Sequence, residues 1–107
     1  MANKIAIIGD SESIKGFAAI GFDLIECDKP EKAGSLLRNT AETELYSIIY
    51  MTEETFSASE RERKKYEEKS LPAVIPIPGL RGNNGIGRQR LSDFVERAVG
   101  SDIIFNN

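Results

Sequence analysis

The sequence of 107 residues contains no histidine and only one cysteine, Cys27. These absences exclude an internal disulfide, a His/Cys zinc site, and the Ser-His or Cys-His pairs of nucleophilic enzymes. Carboxylates, lysines and tyrosines remain, and they fill few of the roles that an active site requires. We therefore predict no catalytic residues, no cofactor and no metal. Cys27, without a partner, is expected to be a small buried or half-buried apolar side chain.

Long apolar runs and an excess of basic charge are also lacking. The run after Lys4 covers only residues 5–8, too short for a signal peptide or for the ~20 residues of a membrane span. The net charge is −3 and the basic residues are interleaved with acids, which argues against nucleic-acid binding. We expect a cytoplasmic chain that inserts into no membrane itself, although it can belong to a membrane-attached complex.

The length is that of one domain with one core. We expect a single domain over residues 1–107, with a core of 1–100 and a mobile apolar tail of 101–107. Strand-like segments at residues 5–8, 22–25, 46–51 and 73–77 alternate with helical ones. This order predicts a small Rossmann-like or flavodoxin-like α/β domain of three layers, with a four-stranded parallel sheet of order 2-1-3-4 and helices on both faces.

Local signals refine this architecture. Pro76 lacks the N–H of a strand ladder, so the fourth strand is predicted at an edge of the sheet. Ser11 is expected to cap the first helix, and Gly21 to end it in the left-handed conformation. Asp28 and Thr52 are expected to cap the second and third helices.

The second half of the chain contains a charged segment and, near its end, an apolar one. The third helix is predicted to continue through residues 59–69, whose mixed charges suit a solvated face or a contact with a charged coiled coil. A last helix is predicted over residues 88–99, with Gly100 after it. The tail that follows is apolar, which predicts burial against the domain or against a partner.

The glycine-rich segment 79–87 resembles a phosphate-binding loop only superficially. A P-loop has Lys and then Ser or Thr after its last glycine, whereas Gly87 is followed by Arg88. A dinucleotide fingerprint has three glycines after the first strand, whereas this segment has two at the matching spacing, after the last strand. Three interpretations of the segment therefore stay open: an anion or nucleotide site, a flexible surface loop, or a contact with a partner.

Asp10 and Glu12 follow the first predicted strand, where receiver domains of response regulators bind a metal. Such receivers also need an aspartate after the third strand, and here the chain reads Met51-Thr52. A receiver-like signalling domain or a small nucleotide-binding protein stays the alternative interpretation.

Several segments, taken in order, resemble the F subunit of the V-type and archaeal-type (V/A) rotary ATPases. They are residues 4–10, Phe17, Gly21-Phe22, 48–53, 71–78, 85–87 and 98–100. The resemblance covers nearly the whole chain, although the tail and the charged third helix are longer than we would expect.

The resemblance implies a non-catalytic component of the central stalk, or rotor. Such a protein docks on the coiled coil of the D subunit and turns inside the catalytic A/B head. It thereby helps to couple ATP hydrolysis or synthesis to H⁺ or Na⁺ transport, from the cytoplasmic side of the membrane. Docking requires an apolar patch, which we predict on the last helix and the tail, at Leu91, Phe94, Ile103, Ile104 and Phe105, with Leu80 and Ile86 from the loop. Helical phase places Val95 and Val99 toward the sheet instead.

Overall fold

The structure is a computed structural model, which describes residues 3–80 together with residues 93, 96 and 97. Strands and helices alternate along the described part, and two of the helices begin or continue as 3₁₀ turns. The elements are β1 (Lys4–Gly9), α1 (Ser11–Ile14), a 3₁₀ helix (Lys15–Ile20), β2 (Asp23–Glu26), a 3₁₀ helix (Pro30–Lys32), α2 (Ala33–Glu42), β3 (Tyr46–Thr52), α3 (Glu53–Ala58), α4 (Glu60–Arg63) and β4 (Ala73–Ile77).

The four strands form one parallel sheet in the order β2-β1-β3-β4. Both the parallel direction and the order are those predicted from the sequence. Strand β4 lies at an edge, as the missing N–H of Pro76 required, and Pro76 is in register with Met51 of β3.

Helices cover both faces of the sheet, because alternate residues of each strand point to opposite sides. On one face α2 contributes Ala33 and Leu37 to a buried cluster with Ile8 and Met51. On the other face, a second cluster joins residues of the strands to those of α1 and its 3₁₀ continuation. Its buried members are Ile7, Ile14, Phe17 and Ile77.

The cap of α1 differs from the prediction. Asp10, not Ser11, is the N-cap residue, and its Oδ2 accepts a hydrogen bond of 3.1 Å from the backbone N–H of Ser13. Ser11 is the first helical residue, with Glu12 beside it in the first turn. Gly21 ends the 3₁₀ continuation with φ of 84°, so its predicted left-handed conformation is confirmed.

Asp28 was also assigned to the wrong helix. The second helical segment begins as the 3₁₀ helix after Lys29, without a side-chain cap. Asp28 instead reaches α1, where its Oδ1 accepts a 3.1 Å hydrogen bond from the backbone N–H of Ser11. The first N–H groups of a helix have no partner within the helix, so a neighbouring carboxylate is favoured there.

The predicted long charged helix is wrong: α3 ends at Ala58, α4 ends at Arg63, and turns follow. The carbonyl of Phe56 explains the break. It accepts hydrogen bonds from the hydroxyl of Ser59 at 3.1 Å and from Nε of Arg63 at 2.7 Å. Ser59 is buried, with its backbone outside helical values, so the chain turns there. Thr52 does lie at the N-cap of α3, but its side chain makes no capping bond.

The predicted last helix and the tail lie almost entirely outside the described residues. Asp93, Glu96 and Arg97 are described, and all three have helical backbone. Within the described residues, no helix has the length and apolar character needed to cross a membrane.

Candidate docking site at the carboxyl edge of the sheet

The sheet has a topological switch point between β1 and β3, because β2 pairs with the outer side of β1 and β4 pairs with the outer side of β3. In open α/β sheets, ligands bind in the crevice outside the carboxyl ends of such strands. Here those ends are Gly9 of β1 and Thr52 of β3. The contents of this crevice therefore decide whether the domain has a ligand site of the usual kind.

Hydroxyl side chains pack closely at this edge of the sheet. Thr52 and Thr55 are each 1% exposed, and their hydroxyl oxygens lie 3.0 Å apart. The Thr55 hydroxyl also lies 2.9 Å from the carbonyl oxygen of Thr52. The backbone of Gly9 is so close that a Cβ there would lie 2.4 Å from Cγ2 of Thr52. These contacts join the ends of β1 and β3 to the start of α3.

Asp10 has a structural role at the same edge. It is 6% exposed, and its Oδ2 accepts hydrogen bonds from both the backbone N–H and the hydroxyl of Ser13. The hydroxyl of Ser13 in turn accepts a 2.9 Å hydrogen bond from the backbone N–H of Leu80. Among the described residues, no group of three or more His, Cys, Asp and Glu side chains is placed to hold a metal.

These contacts fix the point at which the chain leaves the sheet. Leu80 is half-buried and packs against the cluster that contains Ile14 and Phe17. Gly79 lies against Thr52, where an added Cβ would be 3.3 Å from the Cβ of the threonine. The anchor formed by Asp10, Ser13 and Leu80, which we call the carboxyl-edge anchor, therefore sets where residues 81–107 begin.

Leu80 is the only described member of the predicted docking patch. It packs against the second core cluster and is partly exposed, so its predicted contact with a partner stays a prediction. The other members lie outside the described residues: Ile86, Leu91, Phe94, Ile103, Ile104 and Phe105. Most of the glycine-rich segment lies outside them too, so its three interpretations stay predictions.

Sequence reasoning missed the hydroxyl of Ser13. A serine three positions after an N-cap aspartate is a signal for a local hydrogen bond. Its contact with Leu80 depends on the tertiary structure and has no such signal.

A polar cluster at the opposite, amino-terminal edge was also missed. Nζ of Lys4 lies 2.8 Å from Oδ2 of Asp23, and the hydroxyl of Tyr46 donates to the same oxygen at 2.7 Å. The hydrogen bonds from Lys4 and then Tyr46 lower the pKa of Asp23, and the same carboxylate raises the pKa of Lys4. The pKa of Tyr46 is raised mainly by burial. The cluster joins β1, β2 and β3.

Cys27 is buried, as the sequence predicted, and 3% exposed. Its thiol donates to the carbonyl oxygen of Lys29 at 3.2 Å, and burial raises its pKa. Its position next to β2 makes it part of the core rather than of a reactive site.

The parallel sheet of order β2-β1-β3-β4, with helices on both faces, defines a small Rossmann-like α/β domain. Comparison with known proteins adds a family: a model described as "ATP synthase (F/14-kDa) subunit" matches residues 5–95. The chain therefore belongs to the family of ATP synthase F/14-kDa subunits.

Several curated relatives are F subunits of V-type or A-type ATP synthases. The chain is 38% identical over 104 residues to the F subunit of the V-type ATP synthase of Clostridium perfringens, covering 97% of this chain and 98% of the relative. It is 30% identical to the V-type F subunit of Thermus thermophilus, over 92% and 98% of the two chains. The A-type F subunit of Methanothermobacter thermautotrophicus is 28% identical, over 97% and 99%.

A solved structure supports the fold. The crystal structure of the V-type ATP synthase F subunit of Archaeoglobus fulgidus aligns with a TM-score of 0.63 and 19% identity, over 72% of this chain and 99% of that one. The family matches and this fold confirm the resemblance to F subunits that was drawn from the sequence.

Proposed function

We propose that this chain is a non-catalytic component of the central stalk of a V/A-type rotary ATPase. In this role it docks on the coiled coil of the D subunit, and the pair turns inside the head of A and B subunits. It helps to couple ATP hydrolysis or synthesis to H⁺ or Na⁺ transport, and it lies on the cytoplasmic side of the membrane without inserting into it.

The observation that carries the proposal is the similarity to V-type F subunits over 97% of the chain. The close packing of Gly9, Thr52 and Thr55 also suits such a role, because it joins two strands and a helix rigidly at the carboxyl edge. A stalk protein transmits force between partners and needs surfaces and stiffness more than a pocket. The sheet, packed on both faces, supplies that stiffness.

The docking surface is proposed to begin at the carboxyl-edge anchor and to continue into the C-terminal segment. Leu80 is held there by Ser13 and by the second core cluster. A segment that starts from a fixed point loses less entropy when it binds a partner. The apolar side chains of the last helix and tail, Phe94 and Ile104 among them, are the proposed contacts with the D subunit.

Co-purification with the D subunit tests this role. The tagged full-length chain and the D subunit are co-expressed, and the recovered ratio and the dissociation constant are measured. We expect Phe94→Ala and Ile104→Asp each to weaken binding at least about tenfold, as loss of an apolar anchor does. Leu24→Ala and Asn106→Asp are the matched controls, since they make similar changes at an exposed strand position and in the tail. Unchanged binding of both patch variants would place the contact elsewhere, and no binding of the unmodified chain would refute the proposed role.

The alternative, a receiver-like or nucleotide-binding domain, is tested by calorimetry of the isolated chain. The stalk role predicts no heat of binding with Mg²⁺, with ATP or with a phosphoryl donor analogue. Micromolar binding of any of them would favour the alternative, and Asp10→Asn would then show whether the carboxyl edge is responsible.

A further inference from the structure

A second surface lies near the amino end of β4, remote from the carboxyl-edge anchor. There the turns after α4 and the start of β4 enclose an open cavity of about 350 Å³. Its lining includes the rings of Phe56 and Tyr66 and the charged side chains of Arg63, Glu67 and Lys69. We call this cavity the basic groove. Its volume is at the lower end of the range for binding pockets, which suits one or two side chains of a partner.

Arg63 is held in a fixed orientation in the groove. Its Nε donates to the carbonyl oxygen of Phe56 at 2.7 Å, and its Cζ lies 3.6 Å from the centroid of the Phe56 ring. The stacking and the hydrogen bond use one face and one N–H of the guanidinium. Its terminal N–H groups form the fork that binds a carboxylate through two bonds. An arginine fixed in this way loses little side-chain entropy on binding.

Neither Arg63 nor Lys69 has a carboxylate partner within the described part of the chain. By contrast, Arg38 and Lys65 both reach Oε1 of Glu62 at 3.3 Å. Lys69 lies over the ring of Tyr66, with Nζ 5.6 Å from its centroid. Two cations on aromatic rings therefore face one cavity without a matching acid in an ion pair.

The charge of the groove is opposite to that of the chain as a whole. Arg63 and Lys69 outnumber the single acid Glu67 in its lining, whereas the net charge of the protein is −3. A local excess of positive charge, set on an apolar floor, is complementary to a segment with acidic side chains next to apolar ones.

We propose that the basic groove docks an acidic segment of another protein of the stalk, with Arg63 and Lys69 binding its carboxylates. This proposal rests on the stalk role, to which it adds a contact at the amino end of β4. An additional contact would help the domain to resist tilting under torque.

Zero-length cross-linking in the assembled complex tests the contact directly. A carbodiimide joins a lysine amine to a carboxylate only when the two already form an ion pair. We expect a peptide containing Lys69 to be linked to an Asp or Glu of another protein of the complex, as identified by mass spectrometry. Lys69→Arg keeps the charge but lacks the amine, so it should bind normally and lose this link. Absence of the Lys69 link, in a sample in which other links between the proteins form, would overturn the proposal.

Affinity measurements provide the second readout. Lys69→Glu should weaken binding of the full chain to the remaining stalk complex about tenfold at low salt, with a smaller effect at high salt. Arg63→Gln should act in the same direction, with circular dichroism to verify folding because Arg63 also bonds to the carbonyl of Phe56. Arg61→Glu and Lys64→Glu are matched controls, since neither residue lines the groove.

The outcomes separate this proposal from the stalk role. If Lys69→Glu and Arg63→Gln bind like the two controls, the proposal is wrong even when the unmodified chain co-purifies with the D subunit. If the unmodified chain does not bind the stalk, the proposed function fails first. The proposal would also be overturned if Lys69→Glu and Arg63→Gln weakened binding of free ATP and left binding to the stalk unchanged.

Discussion

The hydroxyl of Ser13 accepts a hydrogen bond of 2.9 Å from the backbone N–H of Leu80, 67 residues further along the chain. Ser13 is itself held by Asp10, whose carboxylate accepts from its hydroxyl at 2.9 Å. The start of the first helix and the end of the last strand are thus joined through one buried side chain. This bond fixes the backbone of Leu80 at the carboxyl edge of the sheet.

Ser13→Ala should destabilise the protein and loosen this junction. The substitution leaves the N–H of Leu80 without its acceptor in a largely buried place, which costs about 1–3 kcal/mol. Urea unfolding gives the change in free energy, and hydrogen exchange of the Leu80 amide should become faster. Ser35→Ala removes an exposed hydroxyl bonded to Lys32 and should cost less than about 0.5 kcal/mol. If both variants lost the same unfolding free energy, the Ser13–Leu80 hydrogen bond would stabilise the protein no more than an exposed hydrogen bond does.

Gly9→Ala should destabilise the protein because the new Cβ would lie 2.4 Å from Cγ2 of Thr52. Overpacking of this kind costs about 1–3 kcal/mol, measured as the change in unfolding free energy. Gly16→Ala is the control: a Cβ there meets nothing within 4 Å, so its stability should stay within about 1 kcal/mol of the original. Adding Thr52→Ser to Gly9→Ala removes the methyl group in the clash and should restore part of the loss. No recovery in the double variant would mean that the strain lies elsewhere.

The sequence-based prediction was correct where a pattern repeats. Alternation of strand and helix signals predicted the parallel sheet and its order, and Pro76 predicted the edge. These features follow from general rules of backbone geometry and hydrogen bonding, which do not depend on particular tertiary contacts.

It failed where a tertiary contact decides between two local possibilities. Asp28 has the spacing of a cap for the helix that follows it, but its carboxylate binds the N–H of Ser11 in α1. The charged run after Ser59 has helical composition, yet Arg63 turns back to the carbonyl of Phe56. Neither partner can be read from spacing. The candidate site was accessible only as a family resemblance, and its anchor at Ser13 required the structure.

Asp23→Asn should change the response of stability to acid. Hydrogen bonds from Lys4 and Tyr46 lower the pKa of Asp23 below its ordinary value in the folded chain. A lowered pKa adds stability above the unfolded-state value, about 4, and that stability disappears as the pH falls through the folded-state pKa. The unfolding free energies of the original chain and Asp23→Asn should therefore differ at neutral pH and converge in acid. A gap between Asp23→Asn and the original that persists in strong acid would contradict this role.

At alkaline pH the same cluster should lose stability. The pKa of Lys4 is raised by Asp23, and the pKa of Tyr46 is raised by burial and by the same carboxylate. A raised pKa contributes stability below the unfolded-state value, about 10, which is lost as the pH rises through the folded-state value. Tyr46→Phe removes one of these two contributions, so its unfolding free energy should fall less between neutral and strongly alkaline pH. Parallel curves for the two proteins would show that Tyr46 does not titrate with unfolding.

The thiol of Cys27 should report on opening of the domain. It is 3% exposed and burial raises its pKa, so reaction with a disulfide reagent at neutral pH should be on the order of 100-fold slower than in denaturing guanidinium. Since Cys27 is the only cysteine, the reaction needs no assignment. Its backbone N–H donates to the carbonyl of Gly9 at 2.7 Å, which links it to the crowded carboxyl edge. Gly9→Ala should therefore speed the reaction, whereas Gly16→Ala should leave the rate unchanged. A fast reaction in the native original chain would mean that the edge around Gly9 and Cys27 opens readily in the folded protein.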